Sequence, residues 1–165
     1  MGAIGSKDRT ALTADVCKQV QRTGTMTVAR GTVTVMQDGA PNAPPNILIE
    51  AGTVNRAVAL DSVTFVHGPF SIFDDHNFSA DRHTRVIIFT SDLGLSQPDS
   101  SILTVRAGVF LLTVENVGTV TGVPGLSASF VVVRLPDGLL TGELPLTVTL
   151  RGVASSNNPT ISISP

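Results

Sequence analysis

Leu146-Thr147-Val148-Thr149-Leu150-Arg151 is the stretch that decides the fold class. Side chains along a β-strand alternate between two faces. Leu146, Val148 and Leu150 therefore share one face, and Thr147, Thr149 and Arg151 share the other. Such a run buries one face and wets the other. The same cadence, broken by Gly, Pro, Asn and Asp, recurs from about Thr25 to Ser164 and predicts an all-β protein.

Working outward, Thr25–Val28 and Thr32–Val35 read as strands turned at Arg30-Gly31. Gln37 to Asn46 reads as a loop, with three prolines and a glycine. Ile47–Ala51, Ala57–Leu60 and Ser62–His67 are short strand candidates. Val86–Thr90 is an apolar run expected to be buried on both faces. Ile102–Val105, Gly108–Asn116, Ser129–Leu135, Leu146–Leu150 and Thr160–Ser164 complete the set. Gln97-Pro98-Asp99, Val123-Pro124-Gly125 and Pro136-Asp137-Gly138 carry turn chemistry, since proline fixes φ and the following Asp or Gly completes the turn. Ten or eleven strands at this spacing point to a β-sandwich. The length of 165 residues suits one sandwich or two small β modules in tandem, at 24–95 and 96–165.

Residues 1–23 differ from the rest. Leu12, Val16 and Val20 recur every fourth residue within Thr10–Gln21, which predicts either a short helix or a disordered arm. Met1-Gly2-Ala3-Ile4-Gly5-Ser6 fits the myristoylation pattern, although a flexible start explains it more simply. No signal-peptide core and no run approaching the roughly 18 residues of a membrane span is present.

Composition narrows the function classes. Seven Phe with no Trp or Tyr leave a core of Val, Leu and Ile, and weigh against an aromatic platform for sugars or single strands. A net charge of −2 offers no basic field for nucleic acid or an anionic membrane. From Ser100 onward the only charged residues are Arg106, Glu115, Arg134, Asp137, Glu143 and Arg151, a sparse surface that suits contact with neighbouring domains or other copies. No lysine follows Lys18, so a sheet edge lacks that guard against strand addition. Self-association through strand edges and the N-terminal arm is the resulting expectation.

No nucleophile elbow, zinc-binding or phosphate-binding motif occurs. Cys17 is the single cysteine and has no neighbouring base. No cofactor is expected. The one constellation of potential ligands is Asp74, Asp75, His76, Asp81 and His83. Its spacing fits neither an EF-hand nor a zinc motif, and Arg82 and Arg85 supply counter-charge, so a solvated, ion-paired loop is favoured over a metal site. His67 reads as a turn-satisfied histidine, and Asn77-Phe78-Ser79 is a glycosylation sequon.

The order of words from Thr84 onward carries a resemblance. Thr84-Arg85-Val86-Ile87-Ile88-Phe89 precedes Val114-Glu115-Asn116-Val117-Gly118, then Val123-Pro124-Gly125-Leu126-Ser127 and Val133-Arg134-Leu135-Pro136-Asp137-Gly138-Leu139. Gly142-Glu143-Leu144-Pro145-Leu146-Thr147-Val148 and Gly152-Val153-Ala154-Ser155 close it. This order resembles the C-terminal modules of large exported acidobacterial proteins, themselves similar to immunoglobulin-like TIG domains, over about residues 84–165. The resemblance implies an immunoglobulin-like sandwich in an extracellular or cell-surface setting and brings no catalytic residues. Two functions follow as expectations. One is a non-enzymatic structural module that meets its own copies or neighbouring β-domains. The other is a ligand- or partner-binding domain that uses the 68–85 loop, since loops on rigid sandwiches commonly carry recognition.

Overall fold

The computed structural model describes residues 44–121 and 127–165 in full, and the backbone of 25–28 and 31–34. The expected helix or arm at 1–23, Cys17, the bulk of the 37–46 loop and the Val123-Pro124-Gly125 turn lie outside the described residues. The chain divides into two compact units, Met1–Ala40 and Pro41–Pro165. The first contains an antiparallel hairpin of β1 (Thr25–Val28) and β2 (Gly31–Thr34), in which Gly31 pairs with Val28. The units part at Ala40, and the hairpin lies in the first of them.

The second unit is all-β. Its strands are β3 (Ala59–Asp61), β4 (Arg85–Ser91), β5 (Leu103–Ala107), β6 (Phe110–Thr119), β7 (Ala128–Arg134), β8 (Gly142–Leu150), β9 (Val153–Ala154) and β10 (Thr160–Ile163). They form one curled antiparallel sheet of order β10-β8-β5-β6-β7-β4-β3, with β9 paired to β8. Tandem modules at 24–95 and 96–165 would each close a sheet of their own. Instead β4 pairs with β7 over its whole length, Arg85 opposite Arg134 through Ser91 opposite Ala128, which joins the two halves in one sheet.

Alternation sets the core as the sequence requires. On β5 and β8, Leu103, Val105 and Ala107 face Leu150, Val148 and Leu146, and all six are buried. On β4 and β7, Val86, Ile88 and Thr90 lie opposite Val133, Val131 and Ser129, again all buried. Each buried branched side chain contributes about 1.5–3 kcal/mol. The expectation of burial on both faces of β4 is corrected. Its pattern alternates, because Ile87 and Phe89 on the other face remain only half covered.

β6 turns the corner. Its first residues pair with β5 and its later ones with β7, and the β7 register shifts between Val114 and Asn116. Leu112 and Val117 are five positions apart and would face opposite ways on a regular strand. The extra residue, Glu115, resets the alternation so that both are buried.

The outer edge of β10 is occupied from within the domain. Ala57 N donates to Thr160 O at 2.9 Å and Thr160 N to Asn55 O at 2.8 Å. Farther along, Phe70 N donates to Ser162 O and Ser164 N to Phe70 O, both at 2.8 Å. These are the segments flanking β3, so the sheet curls until its two ends nearly meet. Ser62–His67 is not a strand but a turn, because Asp61 captures its backbone. Asp61 Oδ1 accepts from Val63 N at 2.8 Å, Thr64 N at 2.7 Å and Thr64 Oγ1 at 3.0 Å.

Two turns match their chemistry closely. Arg151 (φ 50°) and Gly152 (φ 81°) are both left-handed and join β8 to β9, the backbone that a two-residue hairpin needs. Gly138 has φ 72° in the expected Pro136-Asp137-Gly138 turn, with open space where a Cβ would stand. Gly138→Val therefore meets a conformational penalty rather than a clash, of about 1–3 kcal/mol. Urea denaturation should show a clear midpoint loss for Gly138→Val and a smaller one for Asp137→Ala; equal midpoints would refute the turn assignment.

Candidate functional site

The 68–85 loop descends from the β10 contact at Phe70 and returns into β4 at Arg85, and its polar residues are tied down from both sides. Asn77 is 7% exposed; its Nδ2 donates to His83 O at 2.6 Å while its Oδ1 accepts from Ser79 N at 3.0 Å. Its amide is already engaged within the fold, so the sequon is sterically closed.

The five constellation residues occupy separate places. Asp74 Oδ1 accepts from His76 N at 2.8 Å and His76 Nδ1 at 3.0 Å, a turn of the Asx kind. Asp75 points to solvent, 3.8 Å from Arg82. His83 is buried: its Nδ1 donates to Leu135 O at 2.7 Å, its ring lies 4.7 Å from that of Phe73, and Nε2 stands 3.5 Å from Asp137 Oδ1. Among the described residues, no three His, Cys, Asp or Glu side chains converge to hold a metal ion.

Asp81 belongs to a charge cluster. The β4–β7 register sets Arg85 opposite Arg134, and like charges directly opposite destabilise a strand pair. Two carboxylates relieve this. Arg85 grips Asp81 through Nη1 at 2.5 Å and Nη2 at 3.1 Å, and Glu115 through Nε at 3.0 Å and Nη2 at 3.2 Å. Arg134 Nη1 reaches Asp81 Oδ2 at 3.2 Å, and its Nε lies 3.9 Å from Glu115. The bulge in β6 is what places Glu115 here. The Arg85 guanidinium, helped by the Ser79 hydroxyl, holds the Asp81 carboxyl well below the usual carboxylate range, and Asp81 in turn raises Arg85.

A different group of residues lines a pocket of about 270 Å³ between the Asp61 turn and the 68–85 loop. Pro69, Phe70 and Val66 form apolar wall, and the polar lining includes Asp61, Asp74, His67, His76 and Thr84. Thr84 is 2% exposed, and its Oγ1 has no hydrogen-bond partner among the described residues. His67 is not satisfied within its own turn as expected. It lies half exposed, with Nδ1 3.6 Å from Glu50 Oε1. Within the Asp61 turn, Phe65 is held left-handed (φ 56°) and is 64% exposed, an uncommon state for a bulky residue. Of this pocket's lining, sequence reasoning brought forward Asp74 and His76 as potential ligands and His67 only as a turn residue. The missed signal was the Asp61-Ser62-Val63-Thr64 pattern, an Asp followed by a hydroxyl residue three positions on, which favours an Asx turn over a strand.

The charge cluster has a pH signature. A folded-state pKa held below the unfolded value gives stability that is present above the unfolded value and lost as pH falls through the folded one. Wild-type stability should decline from about pH 4 downward. Asp81→Asn should be less stable at pH 7 and lose less on acidification. The decline will persist in part, because Asp99 is also held low by the Ser101 hydroxyl. Parallel pH profiles in chemical denaturation would refute the role of Asp81.

No protein-family model matches the chain, and neither a curated protein nor a solved structure matches it significantly.

Proposed function

We propose that this chain is a non-enzymatic structural module, an immunoglobulin-like β-domain of an extracellular or cell-surface bacterial protein that joins its own copies or neighbouring β-domains. The observation that carries this reading is the β5–β6 hairpin. Val109 at its tip is 79% exposed and Leu111 beside it 55% exposed, in the half of the chain where charges are sparse. Apolar side chains projecting together from one hairpin suit contact with another protein surface. The immunoglobulin-like kinship is supported by the order of words from Thr84 to Ser155. It is supported too by β6, which leaves β5 for β7 as strands do at sandwich corners. A non-catalytic role fits Asp81, held by Arg85 and Arg134, and His83, held by Leu135 O, while Asp74 and His76 pair with each other and Asp75 faces solvent. No helix among the described residues is long and apolar enough to cross a membrane.

The edge of β10 is already paired, so association draws on the hairpin and on residues 1–23 rather than on that edge. A second reading, ligand binding by the 68–85 loop, is favoured by the pocket that loop shares with the Asp61 turn.

Light scattering of the full chain should report a mass above that of a monomer. Deleting residues 1–23 should lower that mass while the β-domain still melts cooperatively. The double change Val109→Lys, Leu111→Lys should also lower it, with little effect on the melt. A full chain that stays monomeric at high concentration, and is indistinguishable from both variants, would overturn the assembly reading.

A further inference from the structure

We propose that the pocket between the Asp61 turn and the 68–85 loop binds a small molecule carrying a primary ammonium group, such as a short diamine or an amino sugar. This rests on the second reading above, that the loop binds a ligand, and adds the chemical class.

The argument is a donor and acceptor count. Thr64 Oγ1 gives its proton to Asp61 Oδ1 at 3.0 Å. Ser71 Oγ gives its proton to Phe73 O at 2.7 Å. His76 Nδ1 faces the Asp74 carboxylate, which only accepts, so that nitrogen's proton is directed at Asp74. Asp61 and Asp74 make their internal hydrogen bonds through Oδ1, and the Oδ2 of each makes none among the described residues. Among the described residues, no Lys or Arg lines the space. The pocket thus presents an excess of acceptors, two carboxylates among them, with the Thr64 and Ser71 hydroxyl protons turned away and the Thr84 hydroxyl left open.

Thr84 gives an independent sign of an occupant. A buried hydroxyl without a partner destabilises the fold, and native proteins rarely leave one so. A ligand group that bonds Thr84 Oγ1 removes that cost. An ammonium group answers the acceptor excess, because it offers three donors and a positive charge, and charge-assisted bonds to carboxylates are the strong ones. A bare metal ion is disfavoured, since no three ligating side chains converge among the described residues. The size of the pocket, about 270 Å³, lies just under the roughly 300–1,000 Å³ of drug-sized sites and suits a ligand of few atoms. Phe70 and Pro69 supply apolar wall for its carbon chain.

Thermal melts and calorimetric titrations of the full chain with putrescine, glucosamine, glucose and calcium chloride test this. One or both amines should raise the Tm by roughly 5–10 °C when a hundredfold above Kd. Asp74→Asn should weaken the amine about tenfold or more. Thr84→Val should raise the Tm of the free protein, because the orphaned hydroxyl is gone, yet weaken the amine severalfold. A merely structural Thr84 would not move the amine affinity. If glucose or calcium binds and the amines do not, the ammonium class is wrong while the binding reading stands. If none of the four changes the melt at millimolar concentration, both fail. Amine binding that both variants leave untouched places the ligand elsewhere and overturns the proposal.

Discussion

The structure depends on how a single sheet deals with its ends. An open eight-stranded sheet would leave β10 with a row of unpaired amides and carbonyls and would leave the core uncovered at that side. Here Asn55–Ala57 and Phe70 hydrogen-bond to β10, and these segments bracket β3 at the opposite end of the strand order. Closure satisfies the backbone, covers Ile161 and Ile163, and fixes the start of the 68–85 loop. The pocket wall at Phe70 is therefore a by-product of the same hydrogen bonds that finish the sheet.

The loop's other end is fixed by charge. Register alone would force Arg85 and Arg134 together, and the fold answers with one acid from the loop and one from a bulge. Each arginine meets both acids, so Asp81 cannot move without leaving two cations to share Glu115 alone. Buried Asn77 ties the intervening turn to His83. A loop anchored at Phe70, Asn77 and Asp81 is rigid enough to hold a preformed cavity, which lowers the ordering cost of any ligand.

The strands of the second half were legible because alternation there is clean: the period-two faces of β5, β7, β8 and β10 are the buried faces. The Pro136-Asp137-Gly138 turn was legible for its glycine. Ser62–His67 misled because Val63, Phe65 and Val66 have strand propensity, while Asp61 captures the backbone amides first. Curling was not legible, since it depends on a bulge at Glu115 and on bonds between residues a hundred positions apart, such as Asn55 and Thr160. The site was half legible. His76 and Asp74 stood out by type, but Thr84 is an ordinary strand residue until burial strips it of partners.

The long reach between β4 and β7 also has a meaning in time. Val86 is synthesised well before its partner Val133, with the whole β5–β6 hairpin between them. During that interval the Arg85–Ser91 stretch, RVIIFTS, has β3 with its flanks and the short 46–48 segment as native backbone neighbours, and its long partner β7 is still missing. It is a short segment of high strand propensity with a single charge, the kind that pairs promiscuously with other nascent chains. Arg85 at its head is then a gatekeeper during synthesis, before Asp81 and Glu115 give it its place in the finished domain.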